Sequence, residues 1–218
     1  MLVKDYMTKH PMMVEPKMPI IEAQRYMGEN DIRHLPVVGK GNRLVGLVSR
    51  ERLLIQPATL DSLDVWEISR FLSELTLGDV MVPAKAVVTI GKEETIEEAA
   101  RIMVRNKVGC LPVVDERGAV EGIITKTDLL AQLMEMLGAR VSGVRVTVRM
   151  PNVVGETAKL ICAVGSQGWR IPAFSSVPSP KNPDTWDAMI KIRDVAKEAV
   201  IDVVRQVKGH EIIDIRET

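Results

Sequence analysis

Cysteine, aromatic residues, net charge and long apolar runs are all scarce in this chain of 218 residues. Only Cys110 and Cys162 are present, at no spacing that suits a metal or a disulfide framework, so both read as reduced, packed thiols. Aromatic residues make up 3%, and 29 Lys and Arg balance 29 Asp and Glu. Base stacking and phosphate neutralisation therefore lack their usual residues, which argues against a nucleic-acid partner. No apolar run has the length of a membrane span, and Met1-Leu2-Val3-Lys4-Asp5 does not read as a signal peptide. The expected compartment is the cytoplasm, without a membrane partner. No Walker loop, nucleophile elbow, metal-ligand cluster or acid/base pair is found, so the expectation is a non-enzyme with no required cofactor.

What the chain does hold is a repeat. His34-Leu35-Pro36-Val37-Val38 returns as Cys110-Leu111-Pro112-Val113-Val114, and Gly46 to Leu54 returns as Gly122 to Leu130. Upstream, Val3-Lys4-Asp5-Tyr6-Met7 is echoed by Leu77-Gly78-Asp79-Val80-Met81. One small unit has been duplicated, and such units bury their apolar faces against each other.

Each copy reads strand, helix, strand, strand, helix. In the second, Ala86-Val87-Val88-Thr89 is predicted as a short strand. Thr95 and Glu98 make a capping box, followed by the apolar stripe Ile96, Ala99, Ala100 and Met103. Leu111–Val114 and Ala119–Ile124 pair across a turn at 115–118, and a helix runs from about Lys126 to Leu137 and stops at Gly138. In the first copy Ile20, Ala23 and Met27 form the stripe, and Gly39-Lys40-Gly41-Asn42 forms the turn. Val65, Ile68, Leu72 and Leu75 mark an amphipathic linker helix between the copies.

Beyond 138–141 the pattern changes. Val144, Val146, Val148 and Met150 alternate with polar residues; Val154, Ala158, Ile161 and Val164 make a helical stripe; 170–177 is a strand. Ser179 to Pro183 is a loop, and Trp186, Ala188, Ile190 and Ile192 alternate again. Ala196, Ala199, Val200, Val203 and Val204 form a helix, and 211–216 a closing strand. The order βαββαβ is the split-βαβ, ferredoxin-like arrangement. The expected division is a first repeat over 1–57, a linker helix over 58–76, a second repeat over 77–138 and a last domain over 140–218.

The Asp-x-Met opening, the His/Cys-Leu-Pro-Val-Val strand and the Gly-x-x-Thr-x-x-Asp helix start resemble the cystathionine-β-synthase (CBS) domain. Two in tandem resemble a CBS pair, or Bateman module. The resemblance implies an α+β fold with two clefts between the repeats, a regulatory role, and binding of an adenosine-containing ligand: AMP, ADP, ATP or S-adenosylmethionine. Thr125, where a strand gives way to a helix, sits at the helix's positive end, a place that suits a phosphate. Asp128 can accept from both hydroxyls of a ribose. Cys110, Leu111 and Pro112 would offer backbone and apolar surface to a base, with Val108 and Val87 as further walls. Taken alone, Thr125 is also an ordinary N-cap and Asp128 a first-turn acid.

The first copy departs from this pattern. Ser49 matches Thr125, but Arg52 stands at the place of Asp128 and Arg33 at that of Gly109. Guanidinium groups only donate, so Ser49, Arg52 and Arg33 suit phosphate; the alternative is a surface Arg pair beside an empty cleft. His34 replaces Cys110 in an apolar strand and reads as packing; His10 and His210 have no ligand companions. The last domain resembles an ACT-type regulatory domain through its element order and Met150-Pro151-Asn152-Val153-Val154-Gly155. That resemblance implies either an amino-acid effector near Asn152 and Gly155 or a dimerisation platform. A CBS pair followed by an ACT-like domain is the arrangement of acetoin-utilisation accessory proteins. A homodimer and an unidentified downstream protein are the expected partners; a structural module with vestigial clefts is the competing reading.

Overall fold

The helices Ile20–Glu29 and Ile96–Asn106 form where the apolar stripes predict them, because each stripe finds a sheet to cover. The computed structural model describes residues 1–54, 75–180 and 182–218. All but the last two positions of the expected 58–76 linker helix lie outside them. The described chain divides into two compact units, Met1–Leu129 and Leu130–Thr218.

In the first unit the chain runs α1 (Val3–Tyr6), β1 (Thr8–Lys9), α2 (Ile20–Glu29), β2 (His34–Val38) and β3 (Leu44–Ser49). It resumes with α3 (Leu77–Val80), β4 (Val82–Pro83), α4 (Ile96–Asn106), β5 (Cys110–Val114), β6 (Val120–Thr125) and α5 (Lys126–Met136), whose residues from Leu130 onward belong to the second unit. Ile20, Ala23 and Met27 of α2 are buried with Leu35, Val37 and Val48, while Ile96, Ala99 and Met103 of α4 are buried with Leu111, Val113 and Ile124. Thr95 Oγ1 accepts the Glu98 N–H at 3.1 Å, but the Glu98 carboxylate turns to Arg101 instead of back to the cap. Only half of the predicted capping box forms.

The two repeats exchange their opening segments. β1 pairs with β6 of the second repeat, Thr8 opposite Ile123, whereas β4 pairs with β3 of the first, Val82 opposite Leu47. Val3 accordingly lies in the core with Leu111 and Ile124, and Leu77 in the core with Ile20 and Leu35. Two glycines permit the crossing. A Cβ on Gly46 would overlap Met81 Sδ and stand 2.8 Å from Val82 O; one on Gly122 would overlap Met7 Sδ and stand 3.0 Å from Thr8 O.

The strand expected over Ala86–Thr89 does not form. Ala84–Ala86 is a 3-10 turn, and only Ile90 bridges β5, donating to Pro112 O at 3.1 Å and accepting from Val114 N at 3.0 Å. Extending that parallel ladder backwards requires an N–H from residue 112, which proline lacks. The first repeat repeats the device, with a single bridge at Val14 beside Pro36.

In the second unit β7 (Val144–Pro151), α6 (Glu156–Gly165), β8 (Arg170–Pro178), β9 (Thr185–Arg193), α7 (Lys197–Arg205) and β10 (Glu211–Glu217) follow in the order βαββαβ. The sheet order is β10-β7-β9-β8, antiparallel throughout, which is the split-βαβ topology. Val144, Val146, Val148 and Met150 face α6 and α7, packing on Leu160, Val164, Val200 and Val204. The expected stripe on α6 is corrected. Val154 and Ala158 are exposed, because Gly155 (φ 97) turns the chain and the helix starts at Glu156, placing Glu156, Leu160 and Val164 inward. β9 also differs from simple alternation: Met189 and Lys191 are buried on the face opposite Ile190 and Ile192. Among the described residues no helix is long and apolar enough to cross a membrane.

Candidate functional site

The start of α5 is built from Thr125, the last residue of β6, and Asp128, one turn on. Asp128 Oδ2 accepts from both the Thr125 N–H and the Thr125 hydroxyl at 2.8 Å, while the Asp128 N–H faces Thr125 Oγ1 at 3.3 Å. This is a reciprocal cap in which a carboxylate satisfies backbone groups at the positive end of a helix. The same arrangement opens α3, where Asp79 Oδ2 accepts from the Thr76 N–H and hydroxyl at 2.9 and 2.7 Å. Those bonds hold the Asp79 carboxyl below its ordinary range. One oxygen of Asp128 is thus committed to its own helix, and Oδ1 makes no hydrogen bond among the described residues.

Cys110 lies opposite Thr125 in the β5–β6 ladder and is buried, and that burial pushes its thiol up to about 12. Leu111 is fully buried in the core beneath α4, so the strand's period of two takes its side chain away from any cleft and leaves only its backbone. Pro112 shares the face of Cys110 and is also buried. Val108 and Val87 are half-buried, Val108 against the α4 core.

In the first repeat Ser49 takes the place of Thr125 but makes no side-chain cap bond. Arg52 is exposed and donates to Val80 O at 3.3 Å, and Arg33 is exposed. Sequence reasoning overlooked that His34 reaches the second repeat: its Nε2 is 3.4 Å from where a Cβ of Gly109 would stand. Burial lowers its pKa; Glu51 opposes that, while Arg33 and Lys126 reinforce it. The backbone N–H of Lys126 bonds Gly109 O at 3.0 Å, which sets Lys126 beside the glycine that His34 approaches, whereas the matching Arg50 turns its guanidinium to Met27 O and Ile32 O. His34 therefore sits among cations contributed by both repeats.

In the second unit Asn152 is exposed, its N–H bonding Asp184 O at 2.9 Å, and Gly155 caps α6 through its left-handed backbone rather than a side chain. Among the described residues no group of three or more His, Cys, Asp or Glu is placed to hold a metal.

Comparison with known proteins puts a family to this geometry. The chain is 32% identical over 157 residues to protein MJ1426 of Methanocaldococcus jannaschii, covering 62% of this chain and 92% of that one. Two further relatives from the same organism, protein MJ1225 and an L-aspartate semialdehyde sulfurtransferase, are longer proteins, of which the chain spans 46% and 22%. Among solved structures, an acetoin utilization protein (AcuB) from Vibrio cholerae is 31% identical with a TM-score of 0.53, over 64% of this chain and 95% of that one. The CBS domain pair of protein MJ0100, in complex with 5′-methylthioadenosine and S-adenosyl-L-methionine, is 26% identical with a TM-score of 0.50, over 64% and 98%. Residues 3–57 and 77–135, the two interlocked repeats, each match the CBS domain, and the chain belongs to the CBS-domain family.

Proposed function

We propose that the chain is a non-catalytic regulatory sensor that binds an adenosine-containing ligand at the start of α5. The observation that carries this reading is the Thr125–Asp128 pair. Asp128 Oδ2 is fixed by its helix while Oδ1 keeps its acceptor capacity, so a ribose diol meets a preorientated carboxylate. The binding of 5′-methylthioadenosine and S-adenosyl-L-methionine by the MJ0100 pair supports an adenosine ligand. Cys110, Pro112, Val108, Val87 and the Leu111 backbone would flank the base. Arg33 and Arg52, with Ser49, would favour the phosphates of a nucleotide whose ribose Asp128 holds. The division proposed is a CBS pair followed by an ACT-like effector or dimerisation domain, with Asn152 and Gly155 at its candidate effector turn, acting as a cytoplasmic homodimer on a protein partner.

A second reading, favoured by the same bonds, makes Asp128 a helix cap beside a vestigial cleft. Calorimetric titration of the whole chain with AMP, ADP, ATP and S-adenosylmethionine separates the two. The sensor binds at least one of the four, and Asp128→Ala abolishes that binding as well as costing about 1 kcal/mol of stability as a lost cap. Arg52→Ala weakens ATP more than S-adenosylmethionine. If all four ligands are silent and Asp128→Ala shows only the stability loss, the vestigial reading stands.

A further inference from the structure

The face of the second unit's sheet turned away from α6 and α7 carries an unusual row. Arg216 of β10 lies directly opposite Arg145 of β7, which lies directly opposite Lys191 of β9. All three side chains share that face, because the alternating Val144, Val146, Ile190 and Ile192 fill the helix-covered core. Like charges in direct register repel. Asp214 serves both Arg145 (3.4 Å) and Arg216 (2.9 Å), while Asp187, further along the same face of β9, is taken up by Arg149 at 2.8 Å.

Lys191 is the most demanding member. Only 2% of it is exposed, its amine bonds the Thr218 hydroxyl, and among the described residues it makes no ion pair. Burial, and then Arg145, press its pKa below the ordinary lysine value. Two residues along the same face of β9, Arg193 lies opposite Arg170, and its Nε is buried without a hydrogen-bond partner. A buried cation and a buried orphan donor are both costly unless a counter-ion completes them. The side chains of Arg145 and Arg216 are 40% and 69% exposed, so the row is open to solvent at its β10 end.

We infer that this face is a binding site for a small, multiply charged anion of the diphosphate class, separate from the nucleotide cleft. Three cations on adjacent strands span two strand spacings, about 10 Å. One phosphate bridges such a span poorly; two linked phosphates fit it. Arg145 and Arg216 supply forked donors and Lys191 a point charge, while Asp214 holds the guanidinium planes.

The test is thermal unfolding of the whole chain with sodium pyrophosphate, sodium phosphate, and sodium chloride at matched ionic strength. Pyrophosphate is expected to raise Tm at millimolar concentration, with phosphate at least about tenfold weaker and chloride without effect. Arg145→Gln and Lys191→Met abolish the shift, and Arg52→Gln in the first repeat keeps it. The inference is overturned if chloride reproduces the shift or none occurs. It is equally overturned if the shift survives Arg145→Gln, or if Arg52→Gln removes it, which would place the anion in the cleft. Failure of nucleotide binding leaves this result unaffected, because the two sites share no residue.

Discussion

At the start of α5, Asp128 spends one carboxylate oxygen on the N–H and hydroxyl of Thr125 and keeps the other as an acceptor. Thr125 and Asp128 are legible from their spacing, since Thr-x-x-Asp at a strand-to-helix junction is both a cap and an anion site. Which carboxylate oxygen is spent is not legible, because Asp128 chooses only when the backbone N–H of Thr125 is in place. Leu111 sits in the right motif yet points into the core, a matter of strand phase. Lys191 was invisible as a buried residue, since an alternating strand puts lysine on the side presumed to face water. Its depressed pKa gives a signed prediction. With the folded value below the unfolded 10.5, the unfolded chain binds the extra proton in the interval between them. The penalty is complete at neutral pH and is relieved as pH rises towards 10.5. Urea midpoints should therefore show Lys191→Met more stable than the native chain near pH 7, with the difference narrowing near pH 10.

Elements were predicted well where periodicity was long and poorly where a neighbour's chemistry intervened. The stripes of α2 and α4 and the alternation of β7 appear as expected, because their apolar residues have one face to choose. The missing strand at Ala86–Thr89 depended on the N–H absent from Pro112, which lies on another element. On α6 the phase was set by the turn at Gly155, so Val154 and Ala158 became surface. The glycines of β3 and β6 are a further element-scale constraint, each receiving a methionine and a backbone oxygen from the partner repeat. Gly122→Ala should cost about 1–3 kcal/mol by urea denaturation, as overpacking does. Adding Met7→Ala should recover part of that loss but not all, because Thr8 O remains close.

For the whole molecule, the duplication was plain but its wiring was not. Similarity between copies identifies two units and is silent about which sheet each opening segment joins. The structure gives residues 3–9 to the second repeat and 77–83 to the first. Deleting residues 1–9 should therefore disturb the far repeat. Hydrogen exchange is expected to show Ile123 and its β6 neighbours losing protection while β2 and β3 keep theirs. The exchange also bears on how such a chain could have arisen. A fragment of one copy alone would carry an opening segment without a host and a sheet without a guest, and two identical fragments would complete each other. Tethering them in one polypeptide turns an encounter that depends on dilution into a built-in partnership, and frees each side to drift apart, as Arg52 and Asp128 have done.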